Sequence, residues 1–273
     1  MTTRTRRLMP YKPMKVAGHR GASDSFPENT RQSIREAFEG GADGAEFDVQ
    51  LSKDSQVVVI HDDTLRRTAI PSSYPEDVMN KKIWELPYSV IKSGQVGNEK
   101  GQEPPPLLND ILKLQENYAN QSQEKELFIE VKGGDTRMVT PLVETLKSFS
   151  QSKIYKKLLN LWTVIAFDKE VLSLIKQVYP EIKTAWVLEA KDSHASSIAT
   201  AKDEGFNGID FESSESLSRE LVQKAKSAGL RVLTWVHGDK TDGHRNALKL
   251  RNMGVDVFTS NMTRDMYTSN SPD

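Results

Sequence analysis

One local pattern recurs along this chain and limits the folds open to it. A helical segment runs into glycine, and a strand of apolar and β-branched residues follows within a few positions. It reads "EGGADGAEFDV", "DEGFNGIDFES", "KSAGLRVLTWV" and "RNMGVDVFTSN". Glycine just past a helix end takes the left-handed conformation that closes the last turn. So short a join from helix to strand is the αβ loop of a parallel-sheet unit. The helices between carry the matching period. Ile34, Ala37 and Phe38 share one face; so do Val171, Leu174, Ile175 and Val178, with Asp168 as N-cap and Pro180 as the stop; so do Leu221, Val222, Ala225 and Ala228.

Strands are expected over 15–18, 45–49, 57–61, 127–131, 163–167, 184–188, 208–211, 232–236 and 255–259. Strands alternating with helices define an α/β protein, and 273 residues suit one (β/α)8 TIM barrel. Nine candidates for eight slots leave one spare. The second and third are joined only by "QLSKDSQ", too short for a helix, so that join is a bare crossover or a hairpin. Residues 69–106 break the rhythm and read as an insertion over one rim of the barrel. Its Ile70, Tyr74, Val78, Trp84, Leu86 and Tyr88 either form an exposed apolar rim or pack down. Residues 1–14 read as a basic leader, disordered or a short organellar address, ahead of a single domain over 15–273.

Composition narrows the function. With 37 basic and 38 acidic residues, no basic field argues for nucleic acid. No apolar run approaches the roughly 20 residues of a membrane span, so no integral membrane segment is expected. The chain has no cysteine, which excludes disulfides, thiolate nucleophiles and thiolate metal sites and fits a cytoplasmic location. Oligomeric state does not follow from the sequence.

The chemistry gathers at strand ends. The first strand ends in His19-Arg20-Gly21. In "GAEFDVQ", Glu46 and Asp48 are two apart and point to one face. In "LFIEVKG", Glu130 and Lys132 repeat that spacing within an apolar strand, and "VVVIHDD" places His61 at the end of a β-branched run. In a parallel barrel all strand C-termini open on one face. Three carboxylates offer oxygen ligands to a hard divalent cation, Mg2+ or Ca2+. Arg20 and Lys132 suit a phosphate, and His19 and His61 an acid–base pair. Each feature alone has a bland explanation: a histidine at a strand end is more often structural, and an inward Glu-x-Asp is as easily a buried ion-pair network. Their coincidence points to phosphoryl-transfer chemistry. Trp235 and His237 lie near a later strand end and are weaker candidates for the substrate pocket; His194 and His244 read as surface.

"GHRGASDSFPENT", "GADGAEFDVQLSKDSQVVVIHDDTLRRT" and "FIEVK" together resemble the glycerophosphodiester phosphodiesterases, whose TIM barrel is like that of the phosphoinositide-specific phospholipases C. The resemblance covers roughly residues 16–68 closely and the rest loosely. It implies His19 and His61 as the acid–base pair, Glu46, Asp48 and Glu130 as ligands of one divalent cation, and Arg20 and Lys132 as the phosphate-facing cations. It implies a small-molecule glycerophosphodiester as substrate. The "PENT" at 27–30 is expected to fix the loop and cap the next helix through Glu28 or Asn29. Where the family usually has Trp-Thr-Val-Asn, this chain reads "TWVHGD", with His237 in the place of Asn; the late Thr-Asp is "TSN" at Thr259 to Asn261. Rival expectations are a lysophospholipase D acting on longer lipids, a silent phosphodiester-binding barrel, and a carboxylate–Mg2+ lyase of the enolase type.

Overall fold

The computed structural model describes residues 13–192, 195–236 and 243–261. His194, His237 and nearly all of the expected leader lie outside the described residues.

Eleven strands are present among them: β1 (Lys15–Gly18), β2 (Gly44–Leu51), β3 (Val57–Val59), β4 (Val96–Asn98), β5 (Gly101–Glu103), β6 (Glu126–Val131), β7 (Trp162–Ala166), β8 (Lys183–Leu188), β9 (Gly208–Glu212), β10 (Arg231–Trp235) and β11 (Val257–Ser260). Eight form a closed parallel barrel in the order β1-β2-β6-β7-β8-β9-β10-β11, closed by β1 pairing with both β11 and β2. The (β/α)8 barrel expected from the repeats is therefore the architecture. Helices over Arg31–Glu39, Leu108–Asn120, Val139–Ser148, Lys169–Val178, Ala195–Asp203, Arg219–Ser227 and His244–Met253 follow the strands.

The helices bury the faces their period assigns. Ile34, Ala37 and Phe38 are all buried, as are Val171, Ile175, Val222 and Ala225. Asp168 caps its helix by accepting from the Glu170 amide at 2.8 Å. Val178 departs from the expected face: it is 52% exposed, because the helix ends there and Tyr179 turns inward instead. Inside the barrel, Ala17, Phe128, Ile165, Ala185, Val187, Leu233 and Val257 form a second apolar cluster that fills the lower interior.

The spare strand is the third. β3 pairs antiparallel with the upper end of β2, with Val57 opposite Leu51 and Val59 opposite Val49. The join left open by the sequence is a hairpin, and the strand stops at Val59, two residues short of His61. His61 thus does not stand at the C-terminus of a barrel strand. It arrives from above on a chain running downward, and the Ile60 amide donates to the Asp48 carbonyl at 3.0 Å.

Residues 69–106 are folded rather than a bare loop. They hold short helices at Glu76–Asn80 and Tyr88–Ile91 and the β4–β5 hairpin. Tyr74, Met79, Ile83, Leu86, Ile91 and Val96 pack with Val58, Ile60 and Leu65 into a separate core outside β3. The apolar rim is thus largely packed down; Trp84, 42% exposed, is the exception among its large side chains.

The loop after β1 is held in an unusual shape. Arg20 has φ +55° and Gly21 φ +87°. A Cβ on Gly21 would lie 2.4 Å from Ser33 Oγ and 2.5 Å from the Ser33 carbonyl carbon in the next helix. Gly21→Ala adds a strained left-handed residue, about 1–3 kcal/mol, to that backbone clash. At roughly 2–4 °C per kcal/mol for a chain of this size, thermal melting should drop by at least about 4 °C. An unchanged melting temperature would show that this approach is not tight.

Candidate active site

The barrel mouth contains a cavity of about 370 Å³ lined by His19, Arg20, Glu46, His61, Glu130 and Lys132 on one side. Ile165, Phe167, Val187, Asp210, Trp235 and Thr259 line the rest. Residues separated by more than a hundred positions meet because parallel strands all deliver their C-termini here.

Three carboxylates form the centre. Glu46 and Asp48 project from β2, Glu130 from β6, and Asp48 sits directly beside Glu130 in the strand register. One oxygen of each lies within 4.8 Å of the others. Glu46 and Asp48 are 2% and 1% exposed. Their partners divide them. Asp48 accepts from Asn29 Nδ2 at 2.8 Å, and its oxygens lie 3.3 Å from Arg20 Nε and 3.5 Å from Lys132 Nζ. Burial pushes its carboxyl up, but Arg20, Lys132 and His61 outweigh burial and hold it below the usual range. Glu46 has no such cations in contact. Among the described residues it accepts only the Arg20 amide, at 3.0 Å on Oε2, and burial with the charges of Asp48 and Glu130 pushes its carboxyl well up. Glu130, bonded to Lys132 Nζ at 2.7 Å, is pushed up to about 7 by burial and Asp48.

Glu46 Oε1 is buried with no hydrogen-bond partner among the described residues. A buried acceptor without a donor, beside two more carboxylates, is the environment a hard cation would complete. The donor set is all oxygen and fits a divalent cation of the Mg2+ or Ca2+ kind better than zinc.

Each histidine has Nδ1 tied to an oxygen. His19 Nδ1 is 2.6 Å from Asn261 Oδ1, and its Nε2 is 3.8 Å from Glu46 Oε2. Burial and then Arg20 lower its pKa. His61 Nδ1 is 2.7 Å from Asp62 Oδ1. Arg67 holds Asp62 from the other side at 2.6 and 2.9 Å and bridges to Glu28 through two bonds of 2.7 Å. Asp62 is lowered to about 2, chiefly by that hydrogen bond from Arg67. Glu28 also accepts from Arg20 at 2.9 Å. Gln50 Nε2 donates to the carbonyls of Ile60, His61 and Asp62, which pins the segment that carries His61.

Six of the seven charged or titratable residues read from the sequence therefore line one cavity, and the seventh, Asp48, lies beside it in contact with Arg20 and Lys132. Trp235 joins them, its ring edge-on to Phe167 at 5.5 Å and its Nε1 donating to the Leu188 carbonyl at 3.2 Å. The helix cap differs from expectation. Thr30, not Glu28 or Asn29, caps the helix by accepting from the Ser33 amide at 3.0 Å. Asn29, at φ +57°, turns inward to Asp48 instead. No residue of 69–106 lines this cavity; Trp84 lines a separate hollow beside Lys132. Asp62 and Asp210 were not singled out from the sequence, Asn29 was read only as a loop or cap residue, and Asn261 only as part of "TSN". Only Asp210 carries a readable signal, a charged residue at an inward position of an apolar strand.

A family model described as the glycerophosphoryl diester phosphodiesterase family matches residues 19–264. A glycerophosphodiester phosphodiesterase of Bacillus subtilis is 29% identical over 271 residues, covering 93% of this chain and 85% of that one. Another, from Caldanaerobacter subterraneus, is 25% identical over 232 residues, covering 84% and 88%. The structure of an Oleispira antarctica phosphodiesterase in complex with the product sn-glycerol-3-phosphate superposes with a TM-score of 0.77 at 24% identity, covering 94% of this chain and 96% of that one. Fold and sequence together define a phosphoric diester hydrolase on a TIM barrel. The chain belongs to the glycerophosphoryl diester phosphodiesterase family.

The raised carboxyls set a pH dependence. Glu130 binds a proton below about 7 in the metal-free protein, and a cation must displace it. Affinity for Mg2+ or Ca2+ should rise from pH 6 to pH 8, and calorimetry in buffers of different ionisation heat should show proton release near pH 6.5. The sign for stability is opposite without metal. A carboxyl raised from 4.5 stabilises the fold fully below 4.5 and loses that contribution as pH passes about 7. Metal-free protein should therefore melt lower at pH 8 than at pH 5.5, and added cation should reverse the loss. Proton-independent binding would overturn this account of the cluster.

Proposed function

We propose that this protein hydrolyses glycerophosphodiesters to glycerol 3-phosphate and an alcohol such as choline or ethanolamine. In this reading Glu46, Asp48 and Glu130 hold one divalent cation, Mg2+ or Ca2+, and Arg20 and Lys132 meet the phosphate. When bound there, the cation supplies Lewis-acid polarisation of the phosphoryl group. What carries the reading is one arrangement: two histidines, each with Nδ1 anchored to an oxygen, flank a buried carboxylate triad with two cations beside it.

The anchors assign the proton work. Asn261 is a neutral amide whose hydrogen bond favours a charged imidazole at His19 only weakly, and burial and then Arg20 outweigh it and hold the pKa down. With Nδ1–H donated to Asn261, Nε2 is left to take a proton from the attacking oxygen. Asp62 is a carboxylate kept ionised by Arg67, and its contact with His61 Nδ1 fixes the ring and leaves Nε2 for proton transfer. His61 then gives its proton to the departing alcohol oxygen as the P–O bond breaks. Water supplies the oxygen and the two protons that appear in the products.

The reaction is tested on a head-group panel with coupled detection of glycerol 3-phosphate, run with Mg2+, with Ca2+ and with chelator after dialysis. Turnover should vanish in chelator; full activity there would exclude the metal role. His19→Ala and His61→Ala should each lower the rate about 10²- to 10⁴-fold on choline and ethanolamine esters. The acid assignment makes a sharper forecast. With a p-nitrophenolate leaving group, which needs no proton, His61→Ala should recover most of its rate and His19→Ala should not. The reverse pattern would exchange the two roles.

A further inference from the structure

The reaction as described leaves one buried acid unused. Asp210 projects from β9 into the barrel, between Val187 of β8 and Leu233 of β10 in the strand register. It is 1% exposed, yet it lines the cavity, and its Oδ1 has no hydrogen-bond partner among the described residues. Interior positions of such barrels are ordinarily filled by branched apolar side chains. A carboxyl buried there without a donor costs stability. Its electrostatic neighbour is Glu130, of like sign, which with burial pushes the acid well up rather than pairing with it.

Its place across the barrel gives it meaning. β9 lies four strands around from β2 in an eight-strand ring, on the far side from Glu46 and Asp48. A ligand whose phosphate sits by Arg20 and Lys132 reaches Asp210 by crossing the apolar wall of Ile165 and Val187, with Trp235 alongside. That path suits a short carbon skeleton with a hydrogen-bond donor at its end. Glycerol is such a group. A quaternary ammonium is not, because it carries no N–H or O–H to give to Oδ1.

We infer that Asp210 anchors the glycerol end of the substrate by accepting a hydrogen bond from a glycerol hydroxyl, and so selects phosphodiesters whose glycerol is unacylated. This rests on the reaction proposed above. An acyl ester on that hydroxyl removes the donor and leaves the acid buried and unpaired, and sites built around a polar contact discriminate strongly against ligands lacking it.

The test is binding, which does not depend on turnover. Calorimetry with Mg2+ compares glycerol 3-phosphate, n-propyl phosphate, which lacks both hydroxyls, and phosphocholine. Wild-type protein should bind glycerol 3-phosphate about 10- to 100-fold more tightly than n-propyl phosphate, the range for leaving a buried acceptor unsatisfied. Asp210→Val should shrink that ratio to within about threefold. Equal wild-type affinity for the two phosphates overturns the inference and needs no variant. So does a ratio that survives Asp210→Val, and so does an Asp210-dependent preference for phosphocholine, which would make this the cationic head-group site. Protein that prefers glycerol 3-phosphate through Asp210 but releases none from any diester would overturn the proposed reaction and leave the subsite standing.

Discussion

Three carboxylates held within 4.8 Å of one another in a buried barrel mouth are the constraint to which the surrounding structure answers. Water cannot screen them there, so each must find a cation, a donor or a proton. The protein solves this unevenly. Burial is the largest single influence on Asp48, yet Arg20, Lys132 and His61 together overcome it and keep the charge. At Glu46 burial, Asp48 and Glu130 act in one direction, and Arg20 alone opposes them. The outcome is one carboxyl held below the ordinary range beside two pushed above it. A divalent cation held by the three carboxylates would relieve that crowding and would meet Glu46 Oε1, which no donor among the described residues reaches.

The local backbone is shaped by the same demand. Arg20 and Asn29 both adopt left-handed φ, near +55° and +57°, an uncommon conformation outside glycine. The distortion places the Arg20 amide on Glu46 and the Asn29 amide group on Asp48, while the Asn29 backbone amide donates to the Arg20 carbonyl at 3.0 Å. Arg67 then ties the two arms of the site together, gripping Asp62 behind His61 and Glu28 beside Arg20. Its side chain is 48% exposed, and an exposed ion pair alone contributes little stability. Its effect is geometric. One planar guanidinium spans two carboxylates, so neither His61 nor Arg20 shifts without the other.

Much of this was legible in the sequence, and the limits have physical causes. The helix–glycine–strand repeat carries direction, because only a parallel crossover uses that join, and so it yields the barrel. A run of β-branched residues carries none, so "VVVIH" could not reveal that β3 descends while its neighbours ascend. The seven charged strand-end residues were readable because a charge inside an apolar strand is costly and therefore conspicuous. Asp210 obeys the same rule between Ile209 and Phe211. Glu212 follows it at the spacing that marks Glu46-x-Asp48, but the strand was expected to end at Phe211, which left Asp210 as its one charge. Asn261 has no local signal at all; its role exists only because closure of the barrel sets β11 beside β1, with the His19 amide donating to the Ser260 carbonyl at 2.8 Å. The Thr30 cap was mistaken for Glu28 or Asn29 because all three are plausible partners for a loop or helix start and sequence cannot say which side chain the site recruits.

The descending hairpin also gives the insertion its purpose. In a purely parallel barrel, neighbouring strand ends rise together, and side chains at the mouth approach the centre from below. A side chain poised over β2 from above needs a chain that enters from the opposite direction. β3 provides it, but a three-residue edge strand has little stability of its own. Its inner contacts are the ladder to β2, the main core that takes in Val57 and Val59, and the Gln50 side chain beneath residues 60–62. Its outer face is Val58 and Ile60, and these are covered by the core that residues 69–106 build, including Tyr74, Ile83, Leu86 and Ile91. The segment expected as an insertion over one rim thus acts from behind. It touches none of the cavity, and by clamping the hairpin it holds His61 against the centre where the charge is concentrated.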